Sequence, residues 1–250
     1  MTVLPGFSDK LFDGVRVVVT GAAGGIGSAI AQAFDACGAE LWLVDHDDAA
    51  LQAMQGRLRR SCAHVCDLSD RSEIYRIAKT VCANGPLDVL VNCAGVFARV
   101  PVGDARAERT WDLTLAVNLT APYLLTCACL PALEQARGAV VNITSVRAQT
   151  SAARASAYTA AKAGLTGVTI ALADECAPSG VRVNAVAPGE VDTAMGHNDA
   201  GISEALFART PIKRMAQPAE VAAAVVFLAS PLSAYTTGAT LTVDGGFLIT

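Results

Sequence analysis

Tyr158 and Lys162 stand four residues apart in Ser156-Ala157-Tyr158-Thr159-Ala160-Ala161-Lys162-Ala163-Gly164. On a helix that spacing puts both side chains on one face, one turn apart. A phenol is a poor acid near neutrality, with a reference pKa of about 10, and a neighbouring ammonium favours its ionised form. A tyrosine backed by a lysine can therefore exchange a proton with an alcohol. Alone, the pair is also what an ordinary solvated helix face displays. Its meaning depends on the elements that position it.

Strand-like and helical segments alternate along the chain. Strands are expected at 15–20, 40–45, 63–67, 87–92, 139–145, 181–186 and 240–243, from their Val, Ile and Leu content. A first helix follows a glycine turn and stops at Gly38. A second is capped by Asp47 and runs to about Arg60, and a third opens at Ser69-Asp70. A long helical stretch at 107–135 is expected to be interrupted near Pro122 and Pro131, and 156–177 forms the helix carrying Tyr158. This repeated βαβ order predicts an α/β fold: a single doubly wound parallel sheet of about seven strands, Rossmann-type, in one domain over 1–250. The irregular stretch at 188–217 reads as a substrate lid.

Thr20-Gly21-Ala22-Ala23-Gly24-Gly25-Ile26-Gly27 lies between the first strand and the first helix. A tight turn and a close-lying diphosphate both need residues without Cβ, and the helix N-terminus offers free N–H groups to phosphate. Asp45 ends the second strand about 20 residues further on, where an acid bonds the ribose hydroxyls of NAD and repels the extra phosphate of NADP. No Arg or Lys follows Asp45 directly or interrupts the glycine turn. NAD is therefore the expected cofactor, with NADP disfavoured. A protonated His46 can tolerate that phosphate, which leaves the strictness of the preference open.

With these motifs in order, the chain resembles the short-chain dehydrogenase/reductase family over almost its whole length. Residues 20–27 match the family's glycine motif. Asp67, in Cys66-Asp67-Leu68, matches an adenine-contacting aspartate. Asn92-Cys93-Ala94-Gly95 looks like Asn-Asn-Ala-Gly, with Cys93 in place of the second asparagine. Asn118, Ser145 and Tyr158 with Lys162 match the catalytic positions, and 188–193 is similar to Pro-Gly-x-x-x-Thr. The resemblance implies a cofactor site made by Gly21, Gly25, Ile26, Gly27, Asp45, Asp67, Leu68, Asn92, Ala94 and Gly95. Tyr158, Lys162, Pro188, Gly189, Val191 and Thr193 complete it. It also implies that Tyr158 takes the alcohol proton and Ser145 holds the substrate oxygen. Lys162 would lower the Tyr158 pKa and bind the nicotinamide ribose, and Asn118 would hold a water leading from Lys162 to solvent.

The net charge of −4 over 250 residues argues against nucleic-acid or anionic-membrane partners. Mean hydropathy is +0.40, yet no apolar run of about 20 residues is expected to span a membrane. Residues 1–7 lack the pattern of a signal peptide, which points to a cytoplasmic protein. The eight cysteines lack zinc-site spacing, so no metal is expected.

Val96, Arg147, Ala155, Glu190 and the 193–212 loop are expected to face the substrate. Arg147 and Glu190 can meet hydroxyls or a charged group, or can equally be solvated loop residues. Positions 155 and 157 are alanines, where 3-oxoacyl carrier-protein reductases of the family often carry Gln and Asn. The expected activity is hydride transfer between a secondary alcohol, such as a sugar or polyol, and NAD. The alternatives are a 3-oxoacyl-thioester reductase and a non-catalytic NAD-binding regulatory protein. Family resemblance implies a homotetramer or homodimer, with apolar faces available at 113–133 and 160–173.

Overall fold

The valine-rich segments become the centre of one sheet. In the computed structural model, which describes residues 7–83, 85–150, 152–197 and 209–250, β1 (Arg16–Thr20), β4 (Val89–Asn92) and β5 (Ala139–Ile143) are buried strands. With β2 (Glu40–Asp45), β3 (Ser61–Val65), β6 (Arg182–Pro188) and β7 (Thr240–Val243) they form a parallel sheet of order β3-β2-β1-β4-β5-β6-β7. Side chains alternate between two cores, as strand geometry requires. Val17 and Val19 pack with α1 (Gly25–Ala36) and α8 (Pro218–Ala229), whereas Val18 packs with α3 (Arg71–Cys82) and α5 (Ala121–Ala136).

The chain lays strands to one side of β1 and then returns to lay β4 to β7 on the other. Connections after β1 and β4 therefore diverge, and a crevice opens at their C-terminal ends, where ligands of such sheets bind. Asp47 and Asp70 cap α2 (Asp48–Gln55) and α3 as expected, accepting from Ala50 N at 3.0 Å and Ser72 N at 2.7 Å.

β4 starts two residues later than expected, β5 ends two earlier and β6 ends two later, and three further expectations need correction. β3 lies two residues earlier than expected, which leaves Asp67 in the loop beyond the strand. α2 ends at Gln55 with Gly56 as its cap, short of Arg60. The prolines do not break the long helical stretch: α4 (Ala107–Leu115) runs through a π turn at Ala116–Thr120 into α5. Pro122 falls in the first turn after the π segment, where backbone pairing changes register, and Pro131 sits inside α5 without ending it.

The same stretch corrects the hydropathy reading. Residues 113–133 carry no charge, and Ala107–Ala136 has the length and apolar composition of a membrane span. Val117, Ala121, Leu125, Cys129 and Leu133 are buried against the domain, so here the apolar face is part of a packed core.

Beyond β6, Val191 bridges Ala216 in parallel, and α7 (Ala194–His197) is a single turn. Residues 198–208, within the expected lid, and residues 1–6, on which the signal-peptide reading rests, lie outside the described residues.

Candidate active site

Thr20 closes β1 by bonding to the next strand's exit. Its Oγ1 accepts from Cys93 N at 3.0 Å and Ala94 N at 3.1 Å, which holds the β1 and β4 loops together at the crevice. Gly21 has φ +66°, and a Cβ there would lie 2.8 Å from Ala94 Cα. A Cβ on Gly27 would run into the Gly21 carbonyl oxygen. Both obstacles are backbone, so neither position accepts a side chain. α1 begins after Gly24 with no side-chain cap and no acid in its first turn. Its N–H groups and partial positive charge are left for an anion.

From this turn a cleft of about 680 Å³ runs in two directions. One end is lined by Asp45, His46, Asp67 and Leu68; the other by Ser145, Arg147, Tyr158, Lys162, Glu190 and Met195. Gly21, Gly25, Ile26, Gly27, Ala94, Gly95, Pro188, Gly189, Val191 and Thr193 line the stretch between. A bare helix N-terminus over a glycine turn, an acid at one end and hydroxyls at the other suit a dinucleotide. Asp45 is buried, its Oδ2 accepting from Ala23 N at 3.0 Å and its Oδ1 from His46 N at 2.8 Å. His46 Nδ1 lies 3.0 Å from the same carboxylate. When protonated, the imidazole would offset the acid rather than stand apart as a separate phosphate site.

Three expected residues do not line the cleft. Asn92 Nδ2 donates to Asn142 Oδ1 at 2.8 Å, inside the sheet, and Asn142 in turn donates to Thr169. Asn118 lies in the π turn, fully buried. Its Oδ1 accepts from Val96 N at 2.8 Å and its Nδ2 donates to Val96 O at 2.9 Å. Its amide thus pins the loop after β4 at Val96, through both that residue's N–H and its carbonyl. Ala155 is buried and also stands outside the lining.

Ser145 leaves β5 in an extended conformation and caps the turn Val146–Ala148, its Oγ accepting from Arg147 N at 3.1 Å. It also bonds the Tyr158 hydroxyl. α6 (Ser156–Cys176) brings Tyr158 and Lys162 to the same floor, with Lys162 Nζ 5.7 Å from the centre of the Tyr158 ring. Burial pushes the Tyr158 phenol up to about 12; the Ser145 bond opposes this, Glu190 adds to it and Arg147 counters it. Burial holds Lys162 down to about 8, and its Nζ donates to Ile143 O at 2.7 Å. Ser145, Glu190, Arg147 and Cys93 all act on the phenol.

Phe97 packs edge-on against Tyr158, with ring centres 4.9 Å apart. It was not foreseen; its signal was an aromatic two residues past Gly95. Arg147 and Glu190 prove to be partners, with 3.2 Å between guanidinium and carboxylate.

Residues 21–248 match a family model described as enoyl-(acyl carrier protein) reductase. The chain is 40% identical over 249 residues to D-threitol dehydrogenase of Mycolicibacterium smegmatis, covering 96% of this chain and 95% of that protein. It is 39% identical over 246 residues to galactitol 2-dehydrogenase (L-tagatose-forming) of Cereibacter sphaeroides, covering 95% and 96%. Among solved structures, a candidate NAD(P)-dependent gluconate 5-dehydrogenase from Beutenbergia cavernae, with NADP bound at low occupancy, superposes with a TM-score of 0.89. It shares 35% identity over 96% of this chain and 100% of that one.

Proposed function

The chain belongs to the short-chain dehydrogenase/reductase family, and on that footing we propose that it oxidises a secondary alcohol of a sugar or polyol with NAD. It is an oxidoreductase of CH–OH groups. The observation that carries the reading is the bonded Ser145–Tyr158 hydroxyl pair on the cleft floor beside Lys162.

Bound in the cleft, the nicotinamide dinucleotide supplies the acceptor for the hydride. This chain's residues handle the proton. Ser145 Oγ, already accepting from Arg147 N, directs its own hydrogen to the substrate oxygen. Tyr158 Oη receives the alcohol proton as the carbon–hydrogen bond gives up its electron pair. Lys162, fixed to Ile143 O, places a cation near the phenol and would bind the cofactor's ribose. Asn118 holds the loop carrying Val96 and so shapes the floor. Phe97 and the apolar walls exclude water, which strengthens these polar contacts. Asp45 at the far end would favour NAD over NADP, and Asp67 and Leu68, which line the same end, would hold the adenine.

Sugar and polyol specificity is supported by the two polyol dehydrogenases among the relatives and by the Arg147–Glu190 pair at the substrate end. A 36% identical relative over 242 residues, acetoacetyl-CoA reductase of Allochromatium vinosum, favours a second reading, reduction of a 3-oxoacyl thioester. A screen of NAD reduction across sugars, polyols, hydroxy acids and steroids, beside acetoacetyl-CoA with NADH and NADPH, separates the two. Turnover of polyols with NAD is expected. Faster turnover of acetoacetyl-CoA would favour the second reading, and cofactor binding with no turnover would favour a regulatory protein. We assign a homotetramer or homodimer from exposed Leu113, Tyr123 and Ile170 on the helices, to be checked by mass in solution. A cytoplasmic setting suits its free cysteines.

A further inference from the structure

We propose that Arg147 and Glu190 form a charge-neutral clamp that selects a neutral substrate with a hydroxyl beside the reacting carbinol. The proposal rests on the alcohol-oxidation reading above.

Both residues line the cleft next to the Ser145–Tyr158 pair, and both act electrostatically on the Tyr158 phenol. The clamp is built in from three sides. Arg147 lies two residues beyond Ser145 and binds the serine's Oγ through its own backbone N–H. Its guanidinium sits 5.3 Å from the ring centre of buried Phe247, and Arg209 covers the same ring at 4.8 Å. Glu190 is tied by its carbonyl oxygen, which accepts from Ala216 N at 2.9 Å beside the Val191–Ala216 bridge. Arg147 is only 12% exposed and Glu190 32%, so this is not a solvated surface pair.

An ion pair at 3.2 Å sets a donor group beside an acceptor group. Two vicinal hydroxyls present the complementary pattern, since each can both donate and accept. An acyl thioester would set apolar carbon and sulfur against the pair, leaving desolvated charges without a match. A carboxylate substrate would have to compete with Glu190 for Arg147. The partner chemistry is thus a neutral polyhydric alcohol, with Phe247 as a positioning residue that holds the guanidinium from behind.

The test compares Arg147→Met, Glu190→Gln and Phe247→Leu with wild type on three alcohols: a neutral tetritol, a sugar acid, and a simple secondary alcohol lacking the neighbouring hydroxyl. Arg147→Met should lower kcat/KM for the tetritol about ten- to a hundredfold, mainly through KM, and by clearly more than for the simple alcohol, which loses only what the change at Tyr158 costs. Glu190→Gln, nearly isosteric, should shift preference toward the sugar acid. Phe247→Leu should raise KM for the tetritol, with Phe247→Tyr restoring it.

The pH profile gives a readout that mere misfolding would not move. Ionised Tyr158 accepts the proton, so oxidation rises with pH through its pKa. Removing Glu190's charge should move that rise to lower pH, and removing Arg147's should move it higher. Equal losses on all three alcohols, or unchanged ratios and profiles, would overturn the clamp. If wild type oxidises none of the alcohols, the functional reading falls and the clamp with it. If wild type is active and the variants keep its selectivity, the clamp alone falls.

Discussion

The glycine turn after β1 and the shelf after β5 stand at the ends of strands in one sheet, yet they are built from different material. The turn is backbone: Gly21 and Gly27 leave no room for a Cβ, and α1 offers bare N–H groups. The shelf is side chain: Ser145 follows β5, Tyr158 and Lys162 come from α6, Glu190 from the β6 exit and Phe97 from the β4 exit. A diphosphate needs only close approach and N–H groups, which backbone supplies. Proton transfer to an alcohol needs groups of chosen pKa, which only side chains supply. One half should therefore fail through sterics, the other through single-atom chemistry.

In the backbone-built half the largest effect is expected from Gly27→Ala. Its Cβ meets a carbonyl that cannot retreat, so cofactor affinity and melting temperature should fall together, by more than tenfold and by several degrees. Titration of cofactor fluorescence with a thermal melt checks this. A variant that binds normally would show that the turn is less tight than described.

Lys162 gives an intermediate effect with a defined sign. Its folded pKa, about 8, lies below its ordinary 10.5. Between these values the unfolded chain binds more protons, so this residue's contribution to stability rises with pH there, and its penalty is full below about 8. Wild type should gain on Lys162→Met by roughly 2–3 kcal/mol between pH 7 and 10, as read by urea melts without cofactor. A flat difference would mean that the ammonium is better solvated than its burial implies.

The smallest effect should come from Asp45→Ala. It should narrow the ratio of kcat/KM for NAD over NADP about tenfold, the worth of a charged hydrogen bond, and leave the alcohol KM unchanged. A wild type that prefers NADP would contradict the role given to Asp45.

Legibility divides along the same line. The β2 and β7 bounds, the Asp47 and Asp70 caps and the glycine turn could be read directly, because each depends on local backbone rules. β3, an edge strand paired only with β2, slipped by two residues because its composition sets no boundary. Pro122 misled because the π turn before it absorbs the break. Tyr158, Lys162 and Ser145 were legible as a motif set. The directions of Asn92 and Asn118 were not, since each amide is held by residues far along the chain. The Arg147–Glu190 pairing spans 43 residues, and only the folded sheet brings the two together.

The central claim is that Tyr158 moves the proton while the backbone-built half holds the cofactor independently. The direct measurement is Tyr158→Phe, assayed for NAD-linked polyol oxidation and, on the same sample, for NAD affinity. The account predicts that kcat falls about a hundred- to ten-thousandfold with NAD affinity nearly unchanged. Turnover comparable to wild type would contradict it.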